Sequence, residues 1–154
     1  MTKTLIAYFS ASGQTKKVAE KLNTLIASDL HEIVAKQSYT SDDLNWHDQN
    51  SRSSLEMNDK ASRPEIDSKV DISQYDTILL GFPVWWYTAP RIINTFMEEN
   101  NVKNKTIYTF VTSGSTGSTG CVNDLKEAYP DNTWKEGKRL TTNVNEKTIS
   151  DWID

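Results

Sequence analysis

A six-residue turn near the start of the chain, Ser10-Ala11-Ser12-Gly13-Gln14-Thr15, has the composition of an anion-binding site. It follows an apolar run, 5–9, and precedes a helical pattern, so its backbone N–H groups would lie at the positive end of a helix dipole. Those N–H groups can wrap a phosphate, hydroxyl groups add donors, and Gly13 lets the backbone bend around the anion. Ordinary helix capping by Ser and Thr is the alternative. Three hydroxyls beside a glycine favour phosphate.

The turn differs from two better-known phosphate motifs. It lacks the Gly-x4-Gly-Lys-Ser/Thr pattern of a P-loop and the three glycines of the dinucleotide fingerprint. It offers neutral donors and one nearby cation, Lys16. Such a pocket suits a single terminal phosphate better than a pyrophosphate that must continue outward.

Three aromatic residues stand in a row after a second apolar run, 77–82. Flat rings pack favourably against a flat ligand, at about 0.5–1.5 kcal/mol beyond burial. Each ring alone could instead close the end of a core, but three consecutive rings cannot all face inward. At least one is therefore expected to line a surface cleft. The candidate residues of this segment are Pro83, Val84, Trp85, Trp86 and Tyr87.

The segment 112–120 follows a further apolar run. It contains three glycines, and all its remaining residues are serine or threonine. Such a loop can approach a ligand closely and offer backbone N–H groups to a polar edge. A flexible linker is the alternative, and the position between a buried strand and a helix argues against it. The candidate ligand-binding residues here are Thr112, Ser113, Gly114, Gly117 and Gly120.

Other reactive side chains give weaker signals. His31 adjoins a short strand and is expected to be structural. His47, with Asp48 beside it, could relay protons or lie in a solvated loop. Cys121 sits at a helix start, which could lower its pKa, and a buried inert thiol is the alternative. No catalytic side chain is predicted from these residues.

Two further chemistries are excluded. Ser12 is no hydrolase nucleophile because the Gly-x-Ser-x-Gly elbow is absent. No metal site is expected, because the spacing of the acidic cluster matches no calcium loop. The residues of that cluster are Asp42, Asp43 and Asp48.

Strand-like and helix-like patterns alternate along the chain, which predicts an α/β fold with a mostly parallel sheet and helices on both faces. The predicted strands are 5–9, 32–35, 77–82, 106–111 and a weak fifth around 139–141. The predicted helix faces carry Val18, Leu22, Leu25 and Ile26; Ile92, Ile93, Phe96 and Met97, with Pro90 in the first turn; Val122, Leu125 and Tyr129; and Ile149, Trp152 and Ile153.

A long polar segment, 38–73, interrupts the alternation, and we call it the excursion. It is too long for a plain connection. One short helix is expected near 53–60, and Trp46 and Met57 are expected to need cover. A mixture of solvated surface and a lid or dimer contact is the favoured interpretation. The whole chain, 1–154, is otherwise expected to be one domain.

Composition limits the function classes. The chain has 154 residues, 17 Lys and Arg, 21 Asp and Glu, a formal net charge of −4 and one cysteine. This balance lacks the basic footprint of a nucleic-acid binder. No apolar run is long enough to span a membrane, and the first one is too short for a signal-peptide core. A soluble protein of the cytoplasm is expected.

The turn Ser-x-Ser-Gly-x-Thr resembles the phosphate loop of flavodoxins, which bind flavin mononucleotide (FMN). The segment Gly81 to Pro90 is similar to the loop that borders the flavin after the third strand of flavodoxin-like proteins, and 112–120 is similar to the one after the fourth. The chain is especially similar to short bacterial flavodoxin-like oxidoreductases with a Pro-x-Trp-Trp loop. The resemblance covers nearly the whole chain.

The resemblance implies a flavodoxin-like fold with a five-stranded parallel sheet of order 2-1-3-4-5, in which ligands bind at the carboxyl edge where the strand order reverses. It implies FMN as the cofactor, with its phosphate in the 10–15 turn. Trp85 or Trp86 is expected against the flavin ring and Tyr87 close by. The flavin would carry the redox chemistry, so no catalytic side chain is required.

Two redox functions remain open, and a phosphate-ligand binding module with no redox role is a third, less favoured interpretation. One is an FMN-dependent oxidoreductase that takes electrons from a nicotinamide or a protein and reduces a quinone-like or other small acceptor. The other is an electron carrier that docks to redox proteins. The segments 10–16, 82–91 and 112–123 contain no Asp or Glu, whereas dedicated flavodoxins, as the resemblance implies, are acidic around the flavin. The oxidoreductase is therefore favoured, and a homodimer through the excursion is a further expectation.

Overall fold

The computed structural model describes residues 3–11, 13–67, 69–112 and 117–153. Its sheet has the strand order β2-β1-β3-β4-β5, with β6 also paired to β4, and every pairing is parallel. The predicted flavodoxin-like order 2-1-3-4-5 is thereby confirmed. The strands are β1 (Thr4–Tyr8), β2 (Asp29–Glu32), β3 (Thr77–Phe82), β4 (Thr106–Val111), β5 (Thr133–Trp134) and β6 (Lys138–Arg139).

Helices cover both faces of the sheet and divide the core into two layers. One layer contains Leu80 and Phe82 of β3 with side chains of α3 and α4, and the other contains Leu79 with side chains of α1. The alternation along β3 follows from the period of two in a strand. The helices are α1 (Gln14–Leu25), α2 (Arg52–Asn58), α3 (Arg91–Glu99), α4 (Thr119–Ala128) and α5 (Glu146–Trp152).

The central strands β3 and β4 coincide with the predicted runs, because both of their faces are buried. At Gly81 the ring of Phe110 lies over the backbone, where a methyl group would meet its Cζ atom. The first strand runs from Thr4 to Tyr8, one residue earlier than predicted, although Phe9 N–H still donates to the Gly81 carbonyl at 2.9 Å.

The second strand was predicted three residues too late. It covers Asp29–Glu32 rather than 32–35, in register with Leu5 to Tyr8 of β1. It is the edge strand of the sheet, so one side of its ladder is open and polar residues such as His31 are tolerated. The apolar residues of the predicted strand instead lead to Ala35, which forms an isolated antiparallel bridge with Ile66 of the excursion.

The predicted fifth strand is split into two short pieces. β5 pairs with the start of β4, and β6 pairs with its end at Phe110 and Val111. The prediction of 139–141 overlaps β6 and missed β5. Between the pieces, the Glu136 backbone carbonyl accepts a hydrogen bond of 2.9 Å from the Trp152 indole N–H of α5.

The predicted helices are present, with one change of face. In α4 the buried residues are Cys121 and Leu125, whereas Val122 is only half-buried. Pro90 is the N-cap residue of α3, directly before its first turn. Among the described residues no helix is long and apolar enough to cross a membrane.

The excursion contains α2, as predicted. Of its two large side chains that were expected to be covered, only one is buried. Met57 is buried, but the Trp46 side chain is 66% exposed and stacks on the His47 ring, with ring centroids 3.7 Å apart. The expectation that Trp46 needs cover was therefore wrong. The neighbouring His47 ring shields part of it instead.

Candidate functional site

The three loops singled out in the sequence follow β1, β3 and β4, which are neighbours in the sheet. Since the strands are parallel, the loops meet at one edge, beside the point where strand order reverses. Thr15 and Thr112 join two of these loops directly. Their hydroxyl oxygens lie 2.5 Å apart and both residues are buried.

The 10–15 turn gains its shape from one glycine and one hydroxyl. Gly13 has φ 94° and precedes the first residue of α1, and a methyl group there would meet nothing within 4 Å. The Ser10 hydroxyl oxygen accepts hydrogen bonds from the N–H groups of Gly13, at 3.1 Å, and Lys16, at 3.2 Å. Ser10 thus satisfies one N–H group of the first helical turn, and its own proton remains to be donated.

This donor set fits a phosphate group. The start of α1 supplies backbone N–H groups and a positive dipole end, and open space adjoins Gly13. In the hydrogen bond between Thr15 and Thr112, one hydroxyl donates and the other accepts. The accepting hydroxyl keeps a proton that it can donate to a ligand. Lys16 is exposed beside the turn and Ala11 is half-buried.

The aromatic segment forms a tight hairpin, 84–88, which we call the aromatic hairpin. Trp85 and Thr88 exchange backbone hydrogen bonds of 3.0 and 3.1 Å, and the two residues between them, Trp86 and Tyr87, have φ values of 50° and 65°. Turns of this kind ordinarily use Asn-Gly, because two left-handed residues are needed. Placing two aromatic residues there costs backbone energy, which is typical of functional sites.

The three rings of the hairpin lie in different surroundings. Trp85 is half-buried and packs edge-on against Phe9 and Tyr39, with ring centroids 5.8 and 5.5 Å away. Trp86 is 42% exposed and Tyr87 is 78% exposed. The prediction that the rings cannot all face inward is confirmed. Trp86 is the large ring at the hairpin tip with a face available to a ligand.

Helix α4 supports the other side of the hairpin. A methyl group at Gly120 would lie 2.7 Å from the Tyr87 carbonyl oxygen, so glycine permits this close approach. The Cys121 thiol is buried against the same carbonyl, 4.0 Å away, and burial raises its pKa to about 12. Of the two sequence-based alternatives, the structure supports the inert thiol.

A carboxylate from outside the three acid-free segments contacts the hairpin. The Thr88 hydroxyl donates to Asp124 Oδ2 at 2.5 Å. Asp124 lies one residue beyond the segment 112–123, so its absence from that segment was misleading. The three loop segments thus carry no acidic side chain of their own, but Asp124 brings one negative charge to the hairpin.

The excursion also reaches the hairpin, through a network that sequence analysis missed. The Tyr39 hydroxyl donates to Glu56 Oε1 at 2.6 Å, and Arg52 Nε donates to Glu56 Oε2 at 3.0 Å. The Arg52 guanidinium also lies 3.8 Å from the centroid of the Tyr39 ring. Burial and the bond to Glu56 raise the pKa of Tyr39. Only the i, i+4 spacing of Arg52 and Glu56 was visible in the sequence.

A cleft of about 350 Å³ separates the excursion from the hairpin. Leu44, Trp46 and Ser53 line one side and residues 84–87 the other. Pro83 and Val84 are half-buried at the base of the hairpin. The structure thus places the described residues of the 10–15 turn, the hairpin and Thr112 at one edge of the sheet, and it adds the excursion.

The remaining predicted residues of the three loops are either outside the described residues or exposed. Ser12, Ser113 and Gly114 lie outside the described residues. Gly117 and Gln14 are exposed at the starts of α4 and α1.

The two histidines lie apart from the three loops. Burial lowers the pKa of His31, whose Nε2 has no hydrogen-bond partner among the described residues, and His47 is exposed under Trp46. No three His, Cys, Asp or Glu side chains of the described ranges are grouped to hold a metal ion.

Comparisons with known proteins agree with this geometry. A candidate flavoprotein from Bacteroides eggerthii is 48% identical, with 100% of this chain and 97% of that chain covered and a TM-score of 0.95. A second one, from Bacteroides uniformis, is 43% identical over 99% and 97% of the two chains, with a TM-score of 0.92. A flavoprotein from Lactobacillus acidophilus in complex with FMN is 28% identical over 100% of both chains, with a TM-score of 0.78.

The search of curated proteins gave no significant match. The family model described as flavodoxin matches residues 3–154. This match confirms the resemblance inferred from the sequence motifs. The chain belongs to the flavodoxin family.

Proposed function

We propose that this flavodoxin-family chain is an FMN-dependent oxidoreductase that passes electrons from a nicotinamide or protein donor to a small acceptor. One observation carries the proposal: the 10–15 turn, whose donors suit a phosphate, and the strained aromatic hairpin lie at the same edge of the sheet. A ligand with a terminal phosphate and a flat apolar ring system satisfies both. FMN has this chemistry, and the Lactobacillus relative is described in complex with it.

The 10–15 turn would hold the FMN phosphate. The backbone N–H groups at the start of α1, the Ser10 hydroxyl and the hydroxyl pair of Thr15 and Thr112 form the donor set. Because this set is neutral apart from Lys16, one dianionic group suits it better than a pyrophosphate. Cofactor released by acid should therefore be FMN, and release of FAD would contradict the assignment.

The aromatic hairpin would border the flavin ring. FMN supplies the electron-transfer chemistry, in one- or two-electron steps. The chain orients the ring and excludes water from it. Trp85 is fixed by Phe9 and Tyr39 as part of the wall, so Trp86 is the residue we assign to contact with the ring. The Gly120 backbone holds the hairpin from beneath.

Low negative charge at the site supports the oxidoreductase. Two unit charges 4 Å apart interact by about 4 kcal/mol at an effective dielectric of 20, so carboxylates near the flavin would oppose the uptake of a second electron. Two acids of the excursion, Asp43 and Glu56, are paired with Arg52 at 4.0 and 3.0 Å. The second electron is then less penalised, and two-electron chemistry is favoured.

A reductive titration of the FMN-loaded protein tests the proposal. We expect two one-electron potentials that lie close together, and turnover of a soluble quinone driven by NADH or NADPH. Widely separated potentials with a very negative second one, together with no turnover, would contradict the oxidoreductase.

An electron carrier is the second candidate, and the contact of Asp124 with Thr88 favours it. If this carboxylate repels the reduced cofactor, Asp124→Asn should narrow a large gap between the two potentials. The oxidoreductase predicts a small gap in both proteins. Because asparagine still accepts a hydrogen bond from Thr88, the variant changes charge with little change in shape.

A further inference from the structure

The cleft between the excursion and the aromatic hairpin has a lining unlike that of the phosphate-binding turn. Among the described residues its walls are apolar or aromatic except for the Ser53 and Tyr87 hydroxyls, and no charged side chain of those residues lines it. Its volume, about 350 Å³, lies at the small end of the range for small-molecule sites. The lining therefore suits a small uncharged ligand.

The cleft is held by contacts on the excursion side. Arg52 joins α2 to the preceding chain, since its Nη1 donates to the Gln37 carbonyl at 2.6 Å and its Nε to Glu56. Arg91 of α3 donates to the Met57 carbonyl at 2.9 Å and so anchors the end of the same helix. The α2 part of this wall is thus tied to α3 and to the chain that follows β2.

Trp46 is a large apolar side chain of this wall that folding leaves mostly exposed. Its side chain is 66% exposed, and its only ring contact among the described residues is with His47. An exposed indole beside a preformed cleft offers a flat surface to a second flat molecule.

We propose that this cleft binds the small-molecule partner of the oxidoreductase, a neutral planar aromatic compound of one or two rings, with Trp46 as its stacking wall. The inference rests on the proposed function and assigns its substrate class. A nicotinamide dinucleotide is disfavoured here, because its phosphates would meet no cation in this lining and its size exceeds the cleft. The flavin itself is the competing occupant of the cleft. The experiment distinguishes the two occupants by measuring naphthoquinone and FMN affinity on the same variants.

The experiment is calorimetric titration of the FMN-loaded protein with 1,4-naphthoquinone and with 1,4-naphthoquinone-2-sulfonate. Covalent reaction with the one cysteine is not expected, because Cys121 is buried and its pKa is raised to about 12. The neutral quinone should bind at least about fivefold more tightly than its sulfonate, since the lining offers no cation to the added charge.

Three variants locate the binding. Trp46→Ala should weaken naphthoquinone binding about fivefold or more, in keeping with the loss of one aromatic contact. Trp46→Phe should retain most of the affinity. Leu55→Ala is the matched control, because Leu55 is an exposed apolar residue of the same excursion that does not line the cleft. It should bind as the unmodified protein does.

The affinity for FMN, measured on the same variants, keeps the inference separate from the proposed function. It should be unchanged by Trp46→Ala. A loss of FMN affinity would assign the cleft to the flavin and overturn the inference, as would unchanged naphthoquinone binding or equal binding of the sulfonate. If the unmodified chain retains no FMN, the proposed function fails. The same naphthoquinone titrations on the FMN-free chain and its variants would then test binding in the cleft independently of the proposed function.

Discussion

The 10–15 turn and the aromatic hairpin both use the left-handed region of backbone space, and they do so at different cost. Gly13 adopts φ 94° in the turn, where glycine carries no steric penalty. Trp86 and Tyr87 adopt φ 50° and 65° in the hairpin, where an L residue pays roughly 1–2 kcal/mol. In the proposed site the turn contributes its backbone N–H groups, whereas the hairpin contributes its side chains and carries the backbone strain.

The largest expected effect is on the phosphate side. Thr15→Val removes a hydroxyl that is buried against Thr112 and belongs to the proposed phosphate site. Hydrogen bonds to charged groups contribute about 1.5–3 kcal/mol, so FMN affinity should fall by about 10- to 100-fold. Fluorescence titration with FMN measures it.

Thr24→Val on the same helix is the control for that variant. The Thr24 hydroxyl donates to the Lys21 carbonyl on the exposed side of α1. Its loss should leave FMN affinity unchanged. Equal FMN affinities in the unmodified protein, Thr15→Val and Thr24→Val would contradict the assignment of Thr15 to the phosphate site.

The next effect concerns the glycine of the turn. Gly13→Ala forces an L residue to φ 94° and should lower the free energy of unfolding by about 1 kcal/mol or more. Space for the methyl group is available, so the cost is conformational. Gly13→Asn should cost less, because asparagine tolerates this region better. Urea unfolding of the three proteins measures the series, and equal stability of the Ala variant would refute the assigned strain.

The hairpin should respond with the opposite sign. Tyr87→Gly relieves a left-handed residue whose side chain is 78% exposed. The relief, about 1–2 kcal/mol, exceeds the entropy cost of glycine, so the free energy of unfolding should rise by about 0.5–1 kcal/mol. Tyr87→Phe keeps the strain and should leave stability unchanged. A stability loss in Tyr87→Gly would mean that the Tyr87 side chain itself holds the hairpin.

The smallest effect is a pH dependence beneath the hairpin. The Cys121 thiol ordinarily loses its proton near 9.0, but burial raises its pKa to about 12 in the native protein. Above pH 9 the unfolded chain therefore gains from deprotonation that the native state resists, and stability falls as pH rises. The loss between pH 9 and 10 should be at most about 1 kcal/mol.

Cys121→Ala isolates this contribution. Tyrosines whose pKa values burial also raises, such as Tyr8 at about 12, titrate alike in both proteins and cancel in the comparison. The Ala variant should start less stable and show a shallower decline. Parallel pH profiles would show that the thiol is not buried as described.

The sequence predicted the parts of the fold that are buried on both sides. The strands β3 and β4 were predicted to the residue, because their apolar runs admit one interpretation. The edge strand β2 was displaced, because pairing with β1 on one side alone decides its position and its residues are polar. The split of β5 from β6 depends on where each piece meets β4, which no local pattern records.

The site divides in the same way. Its loops were predictable because each carries a concentrated local composition, whereas the link between Tyr39 and Glu56 joins residues 17 positions apart through a fold-dependent contact. Turn preferences would have argued against two left-handed aromatic residues at 86 and 87. This exception to the local rule is one of the observations on which the proposed role of the hairpin rests.

Titration of the cofactor-free protein with FMN and with riboflavin, which lacks the phosphate, tests the division of labour between turn and hairpin most directly. The account predicts tight binding of one FMN per chain with nearly complete quenching of its emission, because an indole contacts the ring. Riboflavin should bind far more weakly and still be quenched when bound. Equal affinity for the two flavins would contradict the assigned turn, and a bound flavin that stays bright would contradict the assigned hairpin.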